Sequence, residues 1–309
     1  MGLSRNILLW MSENQWMKAN VQKWWFVRKA LKKFMPGESI EDALTAAQKF
    51  VSFNIPAVFT KLGENITRLS EADAVREHYM EAIDKIAERK LDIEISIKLT
   101  QLGFDLSFED TFENFCDIAR KTKEKLGNQI FIDMEGSAYT QRTIDFYKAV
   151  KDKCNNAGIC LQAYLHRTEN DLYALYKVSP SIRLVKGAYK ESGDIALLNK
   201  SKVDENYYHL AKKLIDEIKS SNIRVIFATH DDKPINRIID ESKRIGLSKD
   251  KMEFQMLYGI KTELQKQLAA NGYKVRVLIS YGKSWYPWYM RRLAERPANI
   301  WFVLRNIFN

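Results

Sequence analysis

The chain has 309 residues, 46% apolar and 28% charged, with only 13 glycines and 6 prolines; this composition argues against a disordered or fibrous protein and leaves room for one large α/β domain or two smaller ones. Three cysteines, Cys116, Cys154 and Cys160, show no CxxC spacing, which argues against a disulfide framework and a zinc knuckle and suits a reducing, cytoplasmic compartment. The net charge is +10, and no apolar run approaches the ~20 residues of a membrane-spanning helix.

The charge is concentrated at the start. Residues 1–35 hold seven Lys/Arg against one acid, Glu13, a net +6, and four of the seven tryptophans: Trp10, Trp16, Trp24 and Trp25. The opening "MGLSRNILLWMSENQW" has neither a long apolar region nor a small-residue cleavage site, so a signal peptide is not expected. Trp24, Val27, Leu31 and Phe34 share one helical face. Three readings of this arm stand: a helix packed on protein, an interfacial helix on an anionic membrane, and a nucleic-acid contact supported by basicity alone. Pro36–Gly37 marks the expected boundary between an arm, 1–37, and a catalytic domain, 38–309.

Beyond it, short β-rich runs alternate with amphipathic stretches. The runs are 53–60, 93–99, 130–134, 159–164, 182–187, 223–229, 252–257 and 274–280; helices are expected over 71–90, 107–126, 141–155, 200–220 and 234–245. Several runs are almost continuously apolar, as parallel strands covered on both faces are. Eight such units over about 250 residues predict an α/β fold, a (βα)8 TIM-type barrel. A doubly wound sheet is the alternative, but the chain has no GxG to hold a phosphate.

A barrel places its chemistry at the carboxyl ends of the strands. In order, those ends give Lys61 and Glu64; Lys98; Asp133 with Met134; Gln162; Lys186 with Gly187; Thr229, His230 and Asp231; Leu257 with Tyr258; and Tyr281. The last strand runs into "YGKSWYPWYMRRLAERP", where Arg291 and Arg292 stand among aromatic residues with Glu295 close behind. Two guanidinium groups in such a frame, with Lys98 on the same face, suit an arriving anion, a carboxylate with an apolar body. The bland reading is an Arg291–Glu295 pair within one helix. Asp133 suits orienting Lys98; His230 reads as a general base or as a hydrogen-bonded loop histidine. Lys98 and Lys186 each also admit a Schiff-base lyase. No metal-ligand cluster, Ser-His-Asp pattern or P-loop is present in the sequence.

Taken together, "RLVKGAY" (183–189), "FATHDD" (227–232), "EFQMLYGI" (253–260) and "YGKSWYPWYMRRLAERPANIWFVLRN" (281–306) resemble proline dehydrogenase, the flavin enzyme of proline catabolism, and the length is similar to its monofunctional bacterial form. The resemblance implies a distorted (βα)8 barrel that oxidises L-proline to pyrroline-5-carboxylate with FAD and passes electrons to a quinone. It implies that Lys98, Arg291 and Arg292 hold the proline carboxylate, with Glu295 on the same helix. Asp133 orients the cationic groups, and Leu257 and Tyr281 pack the ring. Arg183 is implied beside the reactive flavin nitrogen, and Met134, Gln162, Lys186, Gly187, Ala188, Thr229 and His230 are implied FAD contacts. Glu64 matches the acid that pairs with Arg291 as a gate over substrate. The expected setting is cytoplasmic, with residues 1–35 as a candidate peripheral contact to the inner face of the membrane, and with no nucleic acid. The lysine-dependent lyase on the same barrel is the competing function.

Overall fold

The computed structural model describes residues 10–11, 14–20, 31–63, 66–221, 223–286 and 288–290. Eight parallel strands, each paired with its neighbours in sequence, close into a barrel. They are β1 (Ala57–Lys61), β2 (Ile93–Ile97), β3 (Ile130–Ile132), β4 (Ala157–Gln162), β5 (Ser181–Val185), β6 (Arg224–Ala228), β7 (Glu253–Leu257) and β8 (Lys274–Tyr281). Helix α1 (Ile40–Gln48) precedes the barrel. After β1 to β7 come α2 (Leu69–Glu88), α3 (Phe108–Leu126), α4 (Ser137–Lys151), α5 (Thr168–Tyr176), α6 (Lys200–Ser221), α7 (Asp232–Arg244) and α8 (Thr262–Ala270).

Local chemistry sets several ends. Ser39 and Asp42 form a reciprocal capping box at α1. Ser107 caps α3 by accepting the Asp110 N–H, and Gly127 ends that helix in the left-handed region. The first strand starts later than its apolar run suggests. Val51–Phe53 form a 3-10 turn, Asn54 takes φ 55°, and Pro56 lies between that turn and the strand.

The register sorts each strand into two faces. Ile93, Ile95 and Ile97, with Ile130, Ile132, Ile159, Leu161, Ile182, Leu184, Val275 and Val277, join the helices in one large core. The alternate residues are unusual for such a barrel, whose centre is commonly branched aliphatic. Here Glu94, Ser96, Phe131, Arg183, Arg224, Glu253, Gln255 and Arg276 follow one another around the register. Their contacts cross between non-adjacent strands, so they fill the barrel axis.

At the amino end the charges neutralise one another. Arg224 makes a fork to Glu253 at 2.7 and 2.8 Å, pairs with Glu94, and donates to Gln129 Oε1 at 3.0 Å. Arg276 lies 3.4 Å from Glu253 and bonds Asp92 at 3.0 and 3.3 Å. Burial pushes the Glu94 carboxyl up in pKa, although Arg276 and Arg224 pull the other way. The Phe131 ring separates this layer from the one above: Arg224 lies 5.6 Å from its centroid and Arg183 5.2 Å. Gly158 makes room for that ring, since a Cβ there would come within 2.5 Å of it.

The described end of the arm packs on protein. Leu31, Phe34 and Met35 form a second core with Leu62, Trp285, Tyr286, Trp288, Tyr289 and Met290. Phe34 and Tyr289 have ring centroids 6.1 Å apart, and Trp285 Nε1 donates to Glu38 Oε1 at 3.2 Å. Gly259 sits directly under the Lys33 carbonyl, where any Cβ would clash. Thus residues 31–35 share a core with the stretch just before Arg291.

Candidate active site

The site is built upward from Arg183. It is the third residue of β5, on the inward face, and only 2% of its surface is exposed. Its guanidinium donates to Gln255 Oε1 on β7 at 3.1 Å and to Ser96 Oγ on β2 at 2.8 Å, and it pairs with Asp133 just after β3. Three strands therefore fix one cation from three directions. Burial, the largest single influence, pushes Arg183 down; the Asp133 carboxylate, Cys160 and Glu94 together outweigh it, and the net direction is up. The charge is permanent, and contacts within the protein fix its orientation.

Asp133 is fixed from below and beside. Its N–H donates to the Ile97 carbonyl at 2.8 Å, and its carboxylate also accepts from Ser96 Oγ at 2.8 Å. Its side chain is 21% exposed, so it meets the mouth while Arg183 lies beneath it. Lys98 follows β2 on the same inward parity as Glu94 and Ser96, half-buried. Lys98 and Asp133 directly follow β2 and β3, and Arg183 lies midway along β5.

Polar atoms recur around this core. Gln162, at the end of β4, donates through Nε2 to the Glu135 carbonyl at 2.7 Å. Its Oε1, Gln255 Nε2 and Ser280 Oγ are buried with no hydrogen-bond partner among the described residues. Such atoms are costly unless something polar meets them. The three belong to inward positions of β4, β7 and β8. They suit a ligand presenting both donors and acceptors at the carboxyl mouth.

Residues expected to hold a cofactor occupy the surrounding loops. Met134 is buried beside β3. Lys186 Nζ is gripped by Asp204 of α6 and Asp231 of the loop after β6. Gly187 has φ +111°, and a Cβ on it would come within 2.1 Å of the Tyr164 ring. The left-handed backbone and the Tyr164 ring thus both require glycine here. Ala188 follows, half-buried. Thr229 is buried and accepts the Asp231 N–H at 3.3 Å.

His230 has a structural partner. Its Nε2 accepts the Leu257 N–H at 2.9 Å, which places the ring proton of the neutral form on Nδ1. The contact stitches the ends of β6 and β7 together, and Leu257 stands on the inward face there. Tyr281 is buried: its ring packs on Phe59 with centroids 5.9 Å apart, and His78 Nε2 of α2 lies 2.8 Å from its hydroxyl. Burial, then the charge of Lys61, pushes His78 down to about 4, so it is neutral in neutral solution. Glu64, Arg291, Arg292 and Glu295 lie outside the described residues.

Sequence reading missed Ser96 and Gln255. Both were accessible to it through parity: Ser96 is two before Lys98, and Gln255 two before Leu257. Nothing local could have paired either with Arg183, 87 and 72 residues away.

A family model described as Proline dehydrogenase matches residues 43–305. The chain is 36% identical over 307 residues to Proline dehydrogenase 2 of Bacillus subtilis subsp. natto, spanning 99% of both chains. It is 37% identical over 295 residues to Proline dehydrogenase of Deinococcus radiodurans, spanning 93% of this chain and 91% of that one. Among solved structures it is similar to proline utilization A (PutA) from Bdellovibrio bacteriovorus inactivated by N-propargylglycine, with TM-score 0.79 at 24% identity over 94% of this chain. The chain spans 38% of that structure's length, and the likeness shows the shared barrel fold.

Proposed function

The chain belongs to the proline dehydrogenase family and is a flavin enzyme of proline oxidation, and from that premise we propose that its flavin is FAD and its product pyrroline-5-carboxylate. The observation carrying this reading is Arg183, buried and held by Asp133, Ser96 and Gln255 beneath a mouth lined by unmatched polar atoms of Gln162, Gln255 and Ser280. These residues fit a large planar group with donors and acceptors along its edge. FAD, when bound, supplies the two-electron acceptor for the hydride leaving the ring carbon beside the proline nitrogen.

The protein's part is placement and charge. Lys98, Arg291 and Arg292 hold the substrate carboxylate, and Asp133 keeps the cationic groups oriented. Arg183 keeps a fixed positive charge on the barrel axis, in a setting where it needs no reorganisation. Leu257 faces the apolar ring from β7, and Tyr281, braced by His78, forms the wall behind it. Met134, Gln162, Lys186, Gly187, Ala188, Thr229 and His230 surround the cofactor; Lys186 and His230 do so while also tying neighbouring elements together. Glu64 closes with Arg291 over bound substrate, and Glu295 supports the arginine pair. The Schiff-base alternative is disfavoured at Lys186, whose ammonium is paired with two carboxylates.

The purified protein is expected to be yellow with non-covalent FAD, and anaerobic proline should bleach it. A colourless protein that neither retains nor rebinds FAD would sink the assignment of cofactor.

The electron acceptor is a quinone, and the enzyme works in the cytoplasm with its arm on the inner face of the membrane. Among the described residues no helix is long and apolar enough to cross a membrane. Trp10 and Trp16 are 59% and 65% exposed, and residues 1–35 carry a net +6, a combination suited to an anionic interface. Residues 31–35 pack on the barrel, and Met11 and Met17 also pack against that core, with the Tyr286 hydroxyl donating to the Met11 carbonyl at 3.3 Å, so among the described residues the arm offers a membrane the exposed Trp10 and Trp16. Removing residues 1–30 should abolish binding to anionic liposomes and slow reduction of long-chain quinones, with dye-linked activity retained. Full-length protein that ignores such liposomes at low salt would leave the arm a packing element.

A further inference from the structure

Helix α4 starts without the chemistry that its amino end requires. Gly136 stands in the capping position with no side chain, and the first turn holds no acid. The open N–H groups and the positive end of the helix dipole call for an acceptor. It comes from 54 residues away. Glu191, in the loop after β5, accepts the Ser137 N–H through Oε1 at 2.7 Å and the Ser137 hydroxyl through Oε2 at 2.5 Å. A Cβ on Gly136 would lie 3.7 Å from that Oε1, in ordinary contact.

The two segments joined by this carboxylate are both parts of the site. Asp133, Met134 and Glu135 occupy the short connection between β3 and α4. Lys186, Gly187 and Ala188 begin the loop that carries Glu191. That loop is also fastened to the connection after β4. His166 N–H donates to the Ile195 carbonyl at 3.0 Å, Leu197 N–H donates to the Tyr164 carbonyl at 2.8 Å, and Gly187 abuts the Tyr164 ring. Glu191 carries the loop onward, past β4, to the β3 side.

We propose that Glu191 is a positioning residue: it latches the loop after β5 onto the start of α4 and so holds the backbone of Gly187 and Ala188 against the cofactor. This rests on the reading of those residues as FAD contacts. The capping bond does two things at once. It neutralises the helix end, and it fixes the distance between the loop bearing Asp133 and the loop bearing Gly187. Both bonds involve an ionised acceptor, and such bonds are roughly twice as strong as neutral ones.

Release of FAD from the holoenzyme, followed by flavin fluorescence, tests the latch in Glu191→Ala, Ser137→Ala, Glu191→Gln and the double alanine variant. Glu191→Ala should release FAD on the order of 10-fold faster, about the effect of one charge-assisted hydrogen bond. Glu191→Gln keeps an acceptor for the Ser137 N–H and should fall between it and the parent. Ser137→Ala should have its own smaller effect and add nothing once Glu191 is gone. Limited proteolysis between residues 187 and 196 reads the same latch in protein stripped of flavin, where Glu191→Ala should be cut faster. A fall in Tm with parental FAD release and parental proteolysis would mean that Glu191 is a helix cap alone, and the proposal would be overturned. Faster proteolysis in a protein that binds no FAD would keep the latch but remove the cofactor reading on which its purpose rests.

Discussion

Arg292→Met is expected to lower kcat/KM for proline by roughly 30- to 4,000-fold while leaving FAD content near that of the parent. The range follows from a loss of ~2–5 kcal/mol when one partner of a desolvated, hydrogen-bonded charge pair is removed, at ~1.4 kcal/mol per tenfold. Arg292→Lys should also be impaired, because a point charge cannot reproduce the guanidinium fork on a carboxylate. FAD should remain because the residues proposed to hold it, among them Gln162, Gly187 and Thr229, stand on β4 or in the loops after β5 and β6, away from residue 292 in the chain. Pyrrolidine, which lacks the carboxylate, is the control. Its poor turnover should change far less than that of proline. Equal losses for the two substrates would show that the arginine acts on folding or on the flavin, and the carboxylate clamp would have to be abandoned.

Arg224→Met tests the opposite end of the barrel. Arg224 is the shared partner of Glu94 and Glu253, both almost wholly buried. Its removal leaves two carboxylates facing Arg276, with one fork lost. Breaking a buried pair from one side costs ~3–5 kcal/mol, because the remaining charge is still out of water. Against a total stability of roughly 5–15 kcal/mol this is a large fraction. Tm should drop on the order of 10 °C. The catalytic constants of the molecules that remain folded should stay within about twofold, since Arg224 begins β6 whereas the proposed catalytic groups, Asp133 and Arg183, lie at or beyond the strand centres. An unchanged Tm would mean that Arg276 alone satisfies both acids. A large loss of kcat at permissive temperature would mean that the Phe131 ring, lying between Arg224 and Arg183, transmits the change upward.

What the sequence by itself determined was the repeat and its polarity. Short apolar runs separated by amphipathic stretches are local patterns, and eight of them alternating with helices, without the GxG of a doubly wound sheet, point to a parallel barrel. Reactive groups at the ends of those runs, among them Lys98, Asp133, Gln162 and Lys186, were legible because strand ends are local as well. The aromatic frame around Arg291 and Arg292, taken with the motifs at 183–189, 227–232 and 253–260, carried the resemblance to the family. Boundaries slipped where backbone conformation outranked hydrophobicity, as at Asn54, whose positive φ delays β1.

Only the tertiary structure decided who faces whom. Parity places Arg183, Ser96 and Gln255 on inward faces, but their meeting depends on the closure of eight strands around one axis. The same closure brings Glu94, Arg224 and Glu253 into a neutralised layer below Phe131. It sets the Tyr281 hydroxyl against His78, 203 residues away, and carries Glu191 to the bare start of α4. Each of these contacts joins groups whose separation along the chain carries no signal. Buried charge and unmet backbone donors must find partners wherever the fold brings them, and in a closed barrel those partners come from across the axis or from the neighbouring loop.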